Sequence, residues 1–137
     1  MSVGGRLLIN VDGGARGNPG RAAIGVVVRD PDGAVLEEIG ERIGVATNNV
    51  AEYQAMLRGI ERARELGASE VELLGDSELI VRQVNGEYRV KDAGLKPLHA
   101  RVTKALRGFE RWSVSHVRRT ENAEADRLVN AALDAID

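Results

Sequence analysis

Four carboxylates stand on four separate segments of this chain, each in a setting where a solvated acid is unexpected: Asp12, Glu52, Asp76 and Asp126. Asp12 and Asp76 follow apolar, strand-like runs, and Glu52 lies on the apolar stripe of a helix-like segment. Burial of an ionised carboxylate is costly unless the group is paired or binds a metal. Carboxylate oxygens on separate rigid elements suit Mg²⁺ or Mn²⁺. The four acids therefore predict a divalent-metal site, provided that the fold brings them together.

Each acid also has a purely structural interpretation. Asp12 and Asp76 each suit a turn or a helix N-cap, and Asp126 suits the solvated edge of a helix. Glu52 is harder to explain in this way, because at about 100° per residue it falls inside the apolar arc that contains Met56. A structural role for Glu52 would need a buried ion pair or a capping contact. The combination of the four favours the metal site.

The apolar periodicity predicts an α/β domain with five strands and four helices. The predicted strands are residues 6–11, 21–29, 34–43, 70–74 and 112–117, and the predicted helices are residues 47–66, 77–84, 95–106 and 123–136. This order predicts an antiparallel meander to which parallel strands are added. The strand at 70–74 is expected to be buried on both faces. Asp12 and Asp76 are expected directly after strand ends, where open α/β sheets bind ligands.

Length and composition are typical of one domain over residues 1–137, with 43 % apolar residues but only 3 % aromatic ones. The absence of cysteine excludes disulfides and thiolate metal sites. No run approaches the roughly 18 apolar residues of a membrane span, and MSVGGR lacks the apolar core of a signal peptide. A cytoplasmic protein is therefore expected. The net charge of −2 argues against a general polyanion binder, although acids gathered at a metal site would offset local arginines.

The loops between these elements have two interpretations each. The glycine-rich run at 13–20 lacks the Lys-Ser/Thr ending of a phosphate-binding P-loop, so it is either a hairpin loop or a place where backbone approaches a ligand. The polar residues at 47–49 either cap the following helix or hold a phosphate or a ribose hydroxyl. The acid-free stretch at 111–120 is either a solvated strand and loop or a basic contact surface. His116, at the end of the last strand, is either structural or a proton shuttle.

Taken together, the segments VDGGARGNPG, ATNNVAEYQAM, LLGDSELIVRQV and HVRRTENAEADRLVNAAL resemble the type 1 ribonuclease H family in order and spacing over nearly the whole chain. The resemblance implies a ribonuclease H-like fold, a five-stranded mixed sheet with helices on both faces. It implies a metal-dependent endoribonuclease that cuts the RNA strand of RNA/DNA hybrids. It places the family's metal ligands on the four acids and the family's flexible-loop histidine on His116. Substrate contacts fall on Gly13, Asn18, Thr47, Asn48 and Asn49.

The mechanism that this resemblance implies uses two Mg²⁺ ions roughly 3.5–4 Å apart, with Mn²⁺ as a possible substitute. Asp12 would bridge the ions, Glu52 and Asp76 would complete one site, and Asp126 would complete the other. His116 would help to protonate the departing product. Arg118 and Arg119 would position the substrate backbone rather than take part in the chemistry.

Departures from the family pattern place the chain in a compact branch, similar to archaeal enzymes and to the ribonuclease H halves of some actinobacterial two-domain proteins. Residues 85–94 are short where many bacterial members carry a basic, Trp-rich protrusion. Val45 stands where some members have an Arg, and Glu78 where some have a Gln. These departures predict weak binding with a shallow salt dependence. The chain is expected to be a monomer, either a whole enzyme or one domain of a longer protein.

The alternatives differ in substrate or in activity. One is a nuclease of the same fold that also cuts double-stranded RNA, and another is an exonuclease or a resolvase. A third is a non-catalytic nucleic-acid binding module, and a fourth is a structural domain stabilised by Ca²⁺ or Mg²⁺.

Overall fold

A computed structural model of the chain describes residues 5–135. Within this range there are five strands and four α-helices in the predicted order. The strands are β1 Arg6–Gly17, β2 Gly20–Arg29, β3 Val35–Ala46, β4 Glu70–Gly75 and β5 Arg111–His116. The helices are α1 Asn48–Glu65, α2 Glu78–Val84, α3 Lys96–Leu106 and α4 Ala123–Asp134, and a short 3-10 helix that the sequence did not predict spans Arg119–Asn122.

The five strands form one mixed sheet in the order β3-β2-β1-β4-β5. The first three strands are an antiparallel meander, and β4 and β5 join it in parallel on the other side of β1. This confirms the predicted α/β class and topology. The last helix ends at Asp134, and the predicted residue 136 lies outside the described range. No helix within residues 5–135 is both long and apolar enough to cross a bilayer.

Helices cover both faces of the sheet, as predicted. In β2, Val26 lies beside Gly59 of α1, whereas its neighbour Gly25 lies against Ala125 of α4. Because successive residues of a strand point to opposite faces, α1 and α4 must lie on opposite sides. The larger core lies on the α1 side and is built almost entirely from Val, Leu, Ile, Ala and Met. A smaller cluster under α4 contains Ala23, Val129 and Leu133.

Strand β1 differs from its prediction, because it does not end before Asp12. It continues to Gly17, paired with β2 as far as the Gly17–Gly20 pair, so the glycine-rich run is the arm of a hairpin closed by a two-residue turn. What ends at Val11 is the parallel pairing with β4, whose last pair is Val11 and Gly75. Glycine has a low strand propensity, and the pairing with β2 overrides it. Asp12 therefore lies where the sheet splits.

Strand β4 is buried on one face only, whereas the sequence predicted burial on both faces. Val71 and Leu73 are fully buried, whereas Glu72 and Leu74 are half-buried. Helix α4 packs over β1, β2 and β3, and Arg6 of β1 instead forms an ion pair with Glu72 on this side. The charged residue in the run is therefore paired with another side chain and is not enclosed in the core.

Residues with hydroxyl side chains are the N-caps of the two helices next to the predicted site. The backbone N–H of Val50 donates to Thr47 Oγ1 over 3.2 Å, so Thr47 is the N-cap of α1. The Ile80 N–H donates to Ser77 Oγ over 3.4 Å, so Ser77 caps α2. Asp76 therefore is not the N-cap of α2, which removes one of its two structural interpretations.

Candidate active site

Three of the four predicted acids converge where β1 and β4 separate. Asp12 and Asp76 directly follow Val11 and Gly75, the last pair of the parallel ladder. Glu52 approaches from the first turns of α1. Each of the three carboxyl groups offers an oxygen atom, and these atoms lie within 4.8 Å of one another. Asp12 and Glu52 are each only 7 % exposed, so the cluster is largely shielded from water.

The close approach of α1 to β1 depends on Gly13. A Cβ atom at this position would lie 2.2 Å from the Ala51 carbonyl carbon and 2.5 Å from the Glu52 backbone nitrogen, which is impossible without moving the helix. The Gly13 N–H donates to Glu52 Oε1 over 3.3 Å. Glycine at position 13 therefore lets the helix bring Glu52 to Asp12.

A second glycine, Gly25, allows α4 to pack closely against the opposite face of the sheet. A Cβ atom at Gly25 would lie 2.2 Å from the Ala125 carbonyl oxygen. The next residue, Asp126, is half-buried and lines the same open cleft as the other acids, which has a volume of about 430 Å³. Asp126 does not belong to the tight group of three. Its half-buried position agrees with its predicted place at the edge of the apolar stripe of the helix.

The cluster is electrostatically unfavourable without a cation. Burial, and then the charge of Asp76, raise the pKa of Asp12 to about 7. Burial, and then the charge of Asp12, raise the pKa of Glu52 well above its ordinary value. Glu52 Oε2 is buried without a hydrogen-bond partner, and none of the three acids forms an ion pair within the described chain. A hard divalent cation fits this donor set, because it would satisfy the orphaned oxygen and neutralise the charges.

Asn122, at the start of α4, was not predicted as part of the site. It is 1 % exposed, and its Nδ2 donates to the Val11 carbonyl over 2.9 Å and to Asp76 Oδ2 over 3.3 Å. Its Oδ1 accepts from Asn10 Nδ2 over 3.0 Å. One buried amide thus joins β1, α4 and the Asp76 carboxylate. The available signal was the Asn of the N-x-x-A-D pattern, four residues before Asp126.

The predicted substrate-contact residues divide between two neighbouring depressions. Gly13, Asn48 and Asn49 line the acidic cleft. Asn18 and Thr47 line an adjacent groove of about 350 Å³, to which Asn49 also contributes.

Two side-chain amides hold these loops together. Asn18 Oδ1 accepts from the Asn48 N–H over 3.1 Å, and Asn48 Oδ1 accepts from the Ala15 N–H over 2.8 Å. The hairpin arm and the start of α1 are therefore cross-linked beside the acids.

The structure places His116 and the two predicted arginines at different positions relative to the cleft. His116 is exposed at the end of β5, with Nε2 3.3 Å from the Asp76 carbonyl oxygen, and it lies outside the lining of the cleft. Arg119 lines the cleft, whereas Arg118 does not. The Arg118 backbone N–H donates to a Glu121 carboxylate oxygen over 3.4 Å. Of the two arginines, only Arg119 is thus brought to the acids.

Arg16 and Asn130 are two further polar residues of the cleft wall. Arg16 donates to Asn130 Oδ1 over 3.4 Å and forms an ion pair with Asp134. This contact also lowers the pKa of the Asp134 carboxyl. It ties the hairpin arm of β1 to α4. Val45, at the position where some relatives have an Arg, is 74 % exposed.

A mixed five-stranded sheet with a buried carboxylate cluster in an open polar cleft is typical of the ribonuclease H fold. Comparison with known proteins agrees. The family model described as reverse transcriptase-like matches residues 10–132. Ribonuclease HI of Halobacterium salinarum is 44 % identical over 96 % of this chain and 66 % of that protein. The crystal structure of this relative covers 94 % of this chain and 98 % of the solved chain, with a TM-score of 0.92.

Two other relatives support the same assignment. The bifunctional protein Rv2228c of Mycobacterium tuberculosis is 44 % identical over 95 % of this chain and 36 % of that protein. LC11-RNase H1, solved in complex with an RNA/DNA hybrid, is 45 % identical over 93 % of this chain and 96 % of the solved chain, with a TM-score of 0.89.

The chain belongs to the type 1 ribonuclease H family. The predicted likeness to archaeal and actinobacterial members is confirmed. The chain spans about two thirds of the length of the Halobacterium protein and about a third of the mycobacterial one.

Proposed function

We propose that this chain is a metal-dependent endoribonuclease that cleaves the RNA strand of RNA/DNA hybrids. The observation that carries the proposal is the group of three carboxylates on Asp12, Glu52 and Asp76, with ligand atoms within 4.8 Å and no ion pair among the described residues. A fold that keeps such charges buried needs a cation to balance them. Family membership and the hybrid bound to LC11-RNase H1 support the choice of substrate.

The metal is proposed to be Mg²⁺, as a pair of ions in the substrate complex, with Mn²⁺ as a substitute. Asp12, Glu52 and Asp76 would hold one ion, and Asp12 with Asp126 would hold the other. Bound divalent ions would supply an activated water and neutralise charge at the scissile phosphate. The buried amide of Asn122 keeps Asp76 in place for this role.

Other groups of the cleft are proposed to bind the hybrid. Asn48 Oδ1 is occupied by the Ala15 N–H, which leaves its Nδ2 group to donate to the substrate. Gly13 and Asn49 lie beside it, and Asn18 and Thr47 would contact the strand that enters the adjacent groove. Recognition of the ribose 2′-OH by such groups distinguishes RNA from DNA without selecting a base.

The residues beyond the acids are proposed to act in two ways. His116, beside the Asp76 backbone, would move a proton to or from the reacting oxygens by way of a water molecule. Arg119, with Arg118 further out, would hold the phosphate backbone. A single domain over residues 1–137 and a monomeric state complete the proposal, and sedimentation velocity tests the latter. The cytoplasmic location stays a prediction.

One assay tests the proposal directly. End-labelled RNA/DNA, RNA/RNA and DNA/DNA duplexes are incubated with the protein in Mg²⁺, Mn²⁺ or EDTA. We expect internal cuts in the RNA of the hybrid with either metal and none in EDTA. Cleavage of RNA/RNA would extend the substrate class, and release of mononucleotides from an end would identify an exonuclease. Tight hybrid binding without cleavage in either metal would show a binding module instead.

A further inference from the structure

The exposed face of α3 carries four cations and no acid. Lys96, Arg101, Lys104 and Arg107, the last of these at the C-cap, are all exposed. At about 100° per residue they fall within an arc of about 140°. The opposite side of the helix packs into the core through Val102 and Leu106, both fully buried. These four residues are called the α3 basic face below.

This concentration of charge is unusual for the chain. Residues 88–109 contain six cations and one acid, Asp92, in a protein whose net charge is −2. Asp92 is engaged locally, because its Oδ1 accepts from the Gly94 N–H over 2.7 Å. Several arginines elsewhere are paired with carboxylates, for example Arg62 with Glu37 and Arg127 with Glu38. No member of the α3 basic face forms an ion pair with a residue in the described range 5–135.

Helix stability does not explain the arrangement. Cations near a helix C-terminus interact favourably with the helix dipole, which would account for Lys104 and Arg107. Lys96 stands in the first turn, where a cation is unfavourable, and no acidic residue stands there to balance it. The helix does not need all of these charges for its stability, and no described acid neutralises them. They are therefore available to bind an external anion.

The α3 basic face begins beside the acidic cleft. The groove next to that cleft is lined by Asn49, which also lines the cleft, and by Asp92 and Leu95 before the start of α3. Leu95 is the N-cap of α3, so Lys96 follows directly at the edge of the groove. From there the 11-residue helix extends roughly 16 Å at 1.5 Å per residue. Cleft, groove and basic face therefore follow one another.

We propose that the α3 basic face binds the phosphate backbone of the duplex whose scissile strand occupies the acidic cleft. The inference rests on the proposed function. A double helix presents about one negative charge per 1.7 Å of its axis, so a 16 Å stretch offers roughly nine. The α3 basic face complements this density of phosphate charge. It follows directly after the short segment 85–94 in the chain. It positions the substrate and takes no part in bond cleavage.

The test compares two variants that each lose two positive charges. Lys96→Gln with Lys104→Gln neutralises half of the α3 basic face. Arg64→Gln with Arg111→Gln is the matched control, since both arginines are exposed at the other end of the sheet, Arg64 in the last turn of α1 and Arg111 at the start of β5. Thermal melting by circular dichroism checks that both variants fold. Fluorescence anisotropy with a labelled hybrid in EDTA gives Kd without turnover, and steady-state cleavage in Mg²⁺ gives KM and kcat.

For the α3 variant we expect a roughly tenfold rise in Kd and KM at low salt, with kcat unchanged. The slope of log K against log salt should become shallower by about 0.9 for each phosphate that the variant no longer neutralises, or about 1.8 in all. The control should keep the wild-type slope. An unchanged slope in the α3 variant, an equal rise in Kd in the control, or a fall in kcat at constant KM would each overturn the inference while wild-type cleavage upholds the proposed function. A wild-type protein that neither binds nor cleaves hybrid would instead refute both.

Discussion

The two ends of strand β4 carry acids in opposite circumstances. At its start, Glu70 and Glu72 lie beside Arg6 of β1, and Arg111 of β5 lies 4.0 Å from Glu70. At its end, Asp76 meets Asp12 and Glu52, and none of these three forms an ion pair in the described part of the chain. The same sheet thus balances its negative charge at one end and leaves it unbalanced at the other.

The difference separates ion-paired acids from the acids that are proposed to bind metal. Part-exposed pairs such as Arg6 and Glu72 contribute at most about 1 kcal/mol, and they satisfy charges that the strand cannot bury. The acids at the far end oppose folding, because burial and mutual repulsion raise the pKa of both Asp12 and Glu52. Unbalanced charge at a buried position indicates that a ligand supplies the missing cation.

Asp12→Asn should have the largest effect. It removes a proposed ligand of both metal ions and one of the repelling charges, so hybrid cleavage should become undetectable while the metal-free protein melts at a higher temperature. Gel-based cleavage and thermal melting in EDTA measure the two effects. Glu72→Gln, at the other end of β4, is the matched carboxylate control and should cleave like wild type. Hybrid cleavage by Asp12→Asn would refute the assignment.

His116→Ala should reduce the rate strongly without abolishing it. A positioned proton-transfer group typically contributes 10²- to 10⁴-fold, so kcat should fall by roughly 10²-fold or more. Mn²⁺ affinity, measured by calorimetry, should stay near the wild-type value, because the imidazole hydrogen-bonds to the Asp76 backbone oxygen and not to its carboxylate. If kcat matches wild type at every pH measured, His116 is only a strand-end residue.

Asn122→Ala should weaken metal binding. Residues that hydrogen-bond to metal ligands typically contribute 10- to 100-fold to metal affinity. Here Asn122 Nδ2 donates to Asp76 Oδ2 over 3.3 Å. Calorimetric titration with Mn²⁺ measures the change. Asn10→Ala removes the hydrogen bond to Asn122 Oδ1 and the one that Asn10 Oδ1 accepts from Arg29 Nε, and it should show a smaller change in the same direction. Val102→Ala, a core substitution in α3, controls for reduced stability, and an equal fall in affinity in that control would argue against a positioning role.

Stability of the metal-free protein should depend on pH with a definite sign. Since the folded pKa of Asp12 is about 7 against an ordinary value of 3.8, the folded state binds more protons than the unfolded state between these values. The contribution of Asp12 to the free energy of unfolding therefore falls as pH rises from 4 to 7, by roughly a few kcal/mol. Urea unfolding in EDTA at several pH values, with Asp12→Asn as reference, measures this contribution. An identical pH dependence in both proteins would contradict it.

Glu72→Gln should have the smallest effect. Removing its ion pair with Arg6 should lower the free energy of unfolding by about 1 kcal/mol or less, with cleavage unchanged. Urea unfolding at neutral pH detects the shift. A change in metal affinity in this variant would show that the two ends of β4 are coupled, which would remove the contrast between them.

Much of the site was predictable because its signals are local. Glu52 falls within the apolar arc of α1, and its burial at 7 % exposure confirms that inference. Asp76 follows β4 as predicted, and Thr47 caps α1 as one of three candidates. Strand and helix ends agree with the prediction within about two residues at most positions, which is the usual uncertainty of boundaries.

The errors arose where distant segments decide local structure. The glycine-rich run after Asp12 has low strand propensity, and only its partner β2 shows that it continues as a strand. Glu72 interrupts an apolar run, and only the position of Arg6 on the adjacent strand shows what it contacts. Asn122 resembles any residue before a helix, and its role depends on the approach of α4 to β1 and Asp76.

The class of fold, the family and the choice of the four acids could be inferred from the sequence, because periodicity and motif spacing are properties of the chain. That Asp12, Glu52 and Asp76 form a tight group, with Asp126 in the same cleft but outside the group, follows from the tertiary structure alone. Distances between side chains on separate elements depend on strand register and on how closely helices approach the sheet. Here Gly13 and Gly25 set that approach, and nothing in their local sequence specifies which atoms they will meet.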